Sequence, residues 1–207
     1  MCAIYDKNGI SEKNVKLVLF FTEGLTFSDV KERFDVSLSD LQSADRYANE
    51  KDKVLHLVSA YLKSKYVGEW TVNEYGKPVS DNVCFNVSHC SGLVALVLAD
   101  SDVGVDVEKV KEVNQSLIDY VSCESEKQLI KSDKDFFKLW TAKESLAKAQ
   151  GKGLVKDIKE IPAYPLDGEK EYLGERYYSK QIEYGEYILI VARKGKLFEL
   201  DIIKENE

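Results

Sequence analysis

Asp106 and Glu108 stand two residues apart in the β-rich segment Gly104–Lys109, so both side chains leave one face of a strand while Val105 and Val107 point into the core opposite. Two carboxylates held side by side repel each other unless a cation or a proton is shared, and Mg²⁺ is a natural guest. Trp140, Glu144 and Lys148 recur every four residues and share one stripe of a helix, with Lys143 beside it. His89 closes the strand-like segment Phe85–Ser88. A histidine, three carboxylates and two lysines together read as a site for a divalent metal and a phosphate.

Taken singly, each signal also has a plain structural reading. A lone Asp-x-Glu is often a solvated strand face, Glu144 and Lys148 make a surface ion-pair ladder, Trp140 is a core residue, and a single histidine is usually packed or hydrogen-bonded. A Cys90–His89 nucleophile is rejected, because neighbours on a strand point to opposite faces and His56, the other histidine, falls on a helix. Cys84, His89 and Cys90 lack the paired spacing of a zinc site. Gly151-Lys152-Gly153 follows a helix, whereas anion-binding glycine loops open one, so it reads as a helix end.

The elements that must hold these residues follow from periodicity. Val15–Phe21 is short and β-rich and reads as a buried strand; an amphipathic helix is expected over about Leu38–Lys65. Tyr75-Gly76-Lys77-Pro78 makes a turn. Strands are expected at Val83–Ser88, Leu93–Ala99 and Val103–Val107, then helices over about Asn114–Lys131 and Asp133–Gln150. Strands around Tyr177–Glu183, Tyr187–Ala192 and Lys196–Ile203 complete the chain. Both parts read as a helix with short antiparallel strands, so the expected class is α+β, divided near Gly104 into 1–103 and 104–207.

Bulk properties bound the function. A chain of 207 residues with 44% hydrophobic and 31% charged residues can bury a core without disulfides or a structural metal. The net charge of −7 argues against a nucleic-acid binder. It also means that an acidic protein partner would need a local basic patch. No apolar run reaches membrane-spanning length, no secretory leader is visible, and Cys2, Cys84, Cys90 and Cys123 have no CxxC pairing. A cytoplasmic monomer with reduced thiols is expected.

In combination and in order, four blocks resemble the 4′-phosphopantetheinyl transferases of the surfactin-synthetase-activating type. They are Tyr75-Gly76-Lys77-Pro78, Phe85-Asn86-Val87-Ser88-His89, Gly104-Val105-Asp106-Val107-Glu108-Lys109, and Phe137 to Lys148 closing with Gly151-Lys152-Gly153-Leu154. The resemblance implies two pseudo-symmetric halves, each a helix packed on a small antiparallel sheet, with the active site in the cleft between them. It implies transfer of phosphopantetheine from coenzyme A to a serine of an acyl- or peptidyl-carrier protein, releasing adenosine 3′,5′-bisphosphate. Asp106, Glu108 and Glu144 would hold Mg²⁺, or Mn²⁺, since oxygen ligands accept both. Glu144 would also take the serine proton, directly or through a metal-bound water, and Lys143 and Lys148 would pair with phosphate oxygens. His89 would meet the 3′-phosphate, and Lys77, Pro78 and Ser88 would line the coenzyme.

The chain departs from the family in two places. Cys90 stands where a serine is common after the histidine. Val54 stands where an arginine for the 3′-phosphate is common, so either Lys51 or Lys53 substitutes as a point charge or discrimination for the 3′-phosphate is weaker. Leu117, Ile118, Tyr120, Val121, Lys127 and Lys131 are candidates for carrier docking, with buried packing the alternative for the apolar ones. Two rival functions remain: another metal-dependent phosphotransferase or phosphohydrolase, and a non-catalytic relative that binds coenzyme A or a carrier.

Overall fold

The computed structural model describes residues 10, 13–153 and 157–205; Cys2 and Leu154 lie outside them. In chain order the elements are β1 (Asn14–Phe21), α1 (Phe27–Arg33), α2 (Leu38–Ala44), α3 (Glu50–Tyr66), β2 (Thr71–Val72), β3 (Pro78–Val79), β4 (Cys84–Cys90), β5 (Leu93–Ala99) and β6 (Val103–Lys109). Then come α4 (Gln115–Val121), α5 (Glu124–Lys127), α6 (Asp133–Gln150), a 3₁₀ turn (Ile158–Glu160), β7 (Gly168–Tyr172), β8 (Glu175–Tyr184), β9 (Tyr187–Lys194) and β10 (Glu199–Lys204).

Two four-stranded sheets, ordered β10-β1-β5-β4 and β6-β9-β8-β7, lie back to back between the two long helices. Alternation along each strand builds the layers. Val15, Leu17 and Leu19 of β1 and Leu93, Ala95 and Val97 of β5 meet Val103, Val105 and Val107 of β6 in the middle layer. Val18, Phe20, Val94, Leu96 and Leu98 face the other way, onto Leu55, Val58 and Leu62 of α3. On the far side, Ile188, Ile190 and Ala192 of β9 pack against Phe136, Leu139, Ala142 and Leu146 of α6. The chain is thus α+β, with a helix on a sheet in each half.

Several expectations change. The helix anticipated over Leu38–Lys65 is two helices: α2 ends at Ala44, and Asn49 starts α3 by accepting a hydrogen bond from the Lys51 amide. A side chain able to cap outcompetes the periodicity that runs through it. The region Asn114–Lys131 likewise divides into α4 and α5, where Ser122 and Cys123 turn extended. β7, the polar Gly-Glu-Lys-Glu-Tyr edge strand, has no alternating apolar signal to announce it. Finally, β10 crosses back to pair with β1, parallel rather than antiparallel, so the last strand of the chain belongs to the first sheet.

Candidate active site

The junction of β4, β6 and α6 gathers the chemistry. Helix α6 is bounded by local signals. Ser132 accepts from the Asp135 amide at its start, and Gly151, at φ +78°, ends it in the left-handed conformation that glycine allows. Gly104 of β6 lets this helix approach: a Cβ there would come within 2.2 Å of the Ser145 carbonyl oxygen and 2.3 Å of the Ala149 nitrogen. Strand backbone therefore lies directly under helix backbone, and Glu144 and Lys148 come down beside Asp106.

Strand β4 completes the corner from the other half. The Asn86 side chain accepts from the Val105 backbone N–H at 3.0 Å, so an amide closes the open edge of β6 where a neighbouring strand would otherwise pair. Two residues on, Ser88 donates its hydroxyl to Asp106 Oδ1 at 2.9 Å. Lys148 Nζ lies 2.6 Å from the same oxygen and 3.0 Å from Ser88 Oγ. Asp106 is buried, and its Oδ2 has no hydrogen-bond partner.

The flanking carboxylates are electrostatically linked to Asp106. Burial raises the Glu108 carboxyl pKa, Asp106 raises it further, and a hydrogen bond from Trp140 Nε1 at 3.0 Å opposes the rise. Glu144 is raised by burial and by Asp106 and pulled back by Lys148. The neighbouring thiol of Cys90 is pushed up to about 12 by burial and by Glu108 and Asp106, which leaves it protonated at neutral pH. Among the described residues no three histidine, cysteine or acidic side chains are drawn tightly enough to hold a metal as they stand. Lys148 is bonded to Asp106 Oδ1 and Trp140 to Glu108 Oε1. An all-oxygen donor set with a buried, unpartnered Oδ2 nevertheless suits a hard cation.

A cavity of about 250 Å³ opens beside this corner, lined by Glu144, Lys148, Asn86, Lys77, Pro78 and Gly151 among others. A second, of about 260 Å³, lies along the same hairpin, with Tyr75, Lys77, Pro78, Phe85 and Gln150 in its wall. The hairpin is knit by Asn73, whose Oδ1 accepts from the Tyr75 and Lys77 amides at 3.0 and 2.9 Å and whose Nδ2 reaches the Gly151 carbonyl at 3.4 Å.

The predicted site residues are not all brought together. Asp106, Ser88 and Lys148 meet, Glu108 and Glu144 flank them, and Pro78 lines the cavity. Lys143 does not join them and corrects the expectation of a phosphate ligand. It is fully buried on another side of α6, donating to the carbonyls of Ile158, Lys159 and Ile161 and paired with Glu126 at 2.9 Å. Lys77 also turns its ammonium inward, to 3.4 Å from the Val103 and Ala149 carbonyls, and burial lowers its pKa. Lys53 sits in the first turn of α3, paired with Asp45 at 3.6 Å and over the Phe27 ring, with Val54 buried beside it.

His89 alternates with Ser88 and so leaves the opposite face of β4, where it is exposed. Crowding by protein and the nearby Lys148 lower its pKa, while Asp52 acts in the other direction. Val121 is fully buried, and Leu117 and Ile118 pack on the α6 core, which removes Val121 from the docking candidates; Tyr120 remains 64% exposed. Lys127 is held by Asp119 and Glu124 at 2.8 and 2.7 Å. Sequence reasoning missed the roles of Asn86, Asn73 and Gly104. Only Gly104, a glycine inside a strand, carried a signal for close backbone approach.

Residues 102–192 match the sequence model of the 4′-phosphopantetheinyl transferase superfamily. The chain is similar to the 4′-phosphopantetheinyl transferase gsp of Aneurinibacillus migulanus, 33% identical over 137 residues, 58% of each chain. It is similar to 4′-phosphopantetheinyl transferase ffp of Bacillus subtilis, 39% identical over 139 residues, 58% of this chain and 62% of the relative. It also resembles 4′-phosphopantetheinyl transferase Sfp of Bacillus subtilis strain 168, 33% identical over 94 residues, 41% of this chain and 42% of the relative. The chain thus covers less than two thirds of the length of each of these relatives. Asp106, Glu108, Glu144 and Lys148 lie within the superfamily match; Lys77, Ser88 and His89 lie before it.

Proposed function

We propose that this chain, which carries the sequence pattern of the 4′-phosphopantetheinyl transferase superfamily over residues 102–192, moves the 4′-phosphopantetheine of coenzyme A to a serine hydroxyl of an acyl- or peptidyl-carrier protein. Adenosine 3′,5′-bisphosphate is the other product. The observation that carries the reading is the corner where Lys148 and Ser88 meet Asp106 within 3.0 Å, beside a cavity walled by Glu144 and the Lys77–Pro78 hairpin.

Phosphoryl transfer needs positive charge on the phosphate oxygens, an aligned alcohol and a place for its proton. Lys148 offers a charge-assisted donor that faces the cavity. Glu144, with its carboxyl raised above the ordinary value, is a better proton acceptor than a solvated glutamate and stands in the same wall. Asp106, Glu108 and Glu144 would hold Mg²⁺ or Mn²⁺, which supplies neutralisation of charge on the pyrophosphate when bound. Pro78 and Ser88 would line the coenzyme and His89 would meet the 3′-phosphate, while Lys77 would shape the hairpin by holding it to the end of α6.

The test is incubation with apo carrier protein, coenzyme A and Mg²⁺. A mass gain of one phosphopantetheine on the carrier serine supports transfer. Release of pantetheine phosphate with no gain on the carrier makes the protein a hydrolase, and coenzyme A binding with neither outcome makes it a binding relative. Asp106→Ala should lower turnover at least about a hundredfold, ~2.7 kcal/mol of barrier. The fold should survive, since Lys148 can turn to water; wild-type turnover in this variant would remove the metal assignment.

A further inference from the structure

Lys148 stands where a cation belongs. Its ammonium and the Ser88 hydroxyl converge on one oxygen of Asp106, while the other oxygen is buried with no partner. Glu108 and Glu144 lie close enough to Asp106 for each to feel its charge. Among the described residues the acidic groups are not drawn into a metal-holding cluster. Carboxylates that repel one another, with an ammonium bonded to the central one, form a site partly neutralised from within. The lysine also keeps an exit: its side chain is 29% exposed and lines the cavity with Glu144.

We propose that Lys148 is the built-in counter-ion of this site in the absence of substrate. A divalent cation displaces it from Asp106, and the phosphates of the incoming coenzyme A receive it. The inference rests on the transferase reading of the site. Its consequence is energetic coupling. Metal binding must break the Lys148–Asp106 pair unless phosphate is present to take the ammonium, so metal and coenzyme A strengthen each other's binding by the same factor. Metal alone binds weakly.

Mn²⁺ binding to the whole chain without coenzyme A, followed by electron paramagnetic resonance, tests this. Lys148→Met should bind Mn²⁺ about tenfold more tightly than wild type, a typical coupling strength. Lys148→Arg, which keeps the competing charge, should bind no more tightly than wild type. Lys111→Met removes a cation that acts on Glu108 from a distance and is exposed, so its affinity should stay within about twofold. Equal affinity in Lys148→Met and wild type, or an equal gain in Lys111→Met, would overturn the proposal.

Wild-type protein gives a second readout, independent of whether any variant folds. Acylation of Lys148 by an amine-reactive reagent, followed by mass spectrometry, should quicken when Mn²⁺ is added, with Lys111 unchanged. A Lys148 rate indifferent to Mn²⁺ would also overturn it. Neither measurement involves carrier or coenzyme A, so their failure leaves the transferase reading to be judged by the carrier assay alone.

Discussion

Two of the four lysines of helix α6, Lys143 and Lys148, stand five residues apart, and the two sides of the helix treat them differently. That spacing turns the side chains roughly 140° from one another. Lys143 is 0% exposed and faces more acceptors than it has protons: three backbone carbonyls and the Glu126 carboxylate. Lys148 has two partners, a solvent-accessible stem and an acceptor left over on Asp106. The first cage ties α6 to the 158–161 segment and has nothing left to offer a ligand. The second opens on a cavity. Residue type and helix are the same; saturation of partners separates a structural charge from an exchangeable one.

The largest effect that could break this comparison is on stability. Lys143→Met should cost about 3–5 kcal/mol, because it strands the buried Glu126 carboxylate. Lys148→Met should cost less in the same urea titration. Mn²⁺ should restore part of the Lys148→Met loss and none of the Lys143→Met loss; equal losses with equal recovery would erase the distinction.

Gly104→Val comes next. Its Cβ has no room under α6, so the helix must shift, at about 1–3 kcal/mol by urea unfolding. Turnover should fall by more than the unfolded fraction accounts for, since the shift carries Glu144 and Lys148 away from Asp106.

The pH dependence sharpens the chemical side. The Glu144 and Glu108 carboxyls lie above their ordinary 4.5, chiefly through burial and then through Asp106. The folded protein therefore binds protons that the unfolded chain has released. The stabilisation these protons give is lost as pH rises from 4.5 through the raised values, so metal-free melting temperature should fall across that window. Cation binding runs the other way, because carboxyls must be ionised to hold a metal. The pH below which Mn²⁺ affinity is lost should lie above 4.5, and Lys148→Met should move it further up, since Lys148 lowers the Glu144 pKa. The smallest effect is expected for Ser88→Ala, which removes one hydrogen bond at Asp106: about 0.5–1.5 kcal/mol, seen as a few-fold loss of turnover.

Much of the molecule is legible without coordinates where the signal is local. The β6 alternation puts Val105 and Val107 in the core and Asp106 and Glu108 toward α6, as the period of two requires. Ser132 and Gly151 bound α6 because capping and left-handed φ are properties of single residues. Periodicity failed where a cap interrupted it, at Asn49, and where the buried face of an edge strand carries a lysine, Lys170 beside Tyr172 in β7.

The sequence by itself determined which residues could do chemistry and which face of its own element each would occupy. Only the tertiary structure decided that Lys148 meets Ser88, sixty residues away, while Lys143 turns into a cage built by the 158–161 segment. It also decided that the Asn86 amide closes the edge of β6 and that β10 returns to β1. The physical reason is range. Helix and strand periods arise from neighbours along the chain, but the partner of a buried charge is set by which distant carbonyls and carboxylates the packed layers bring within hydrogen-bonding distance.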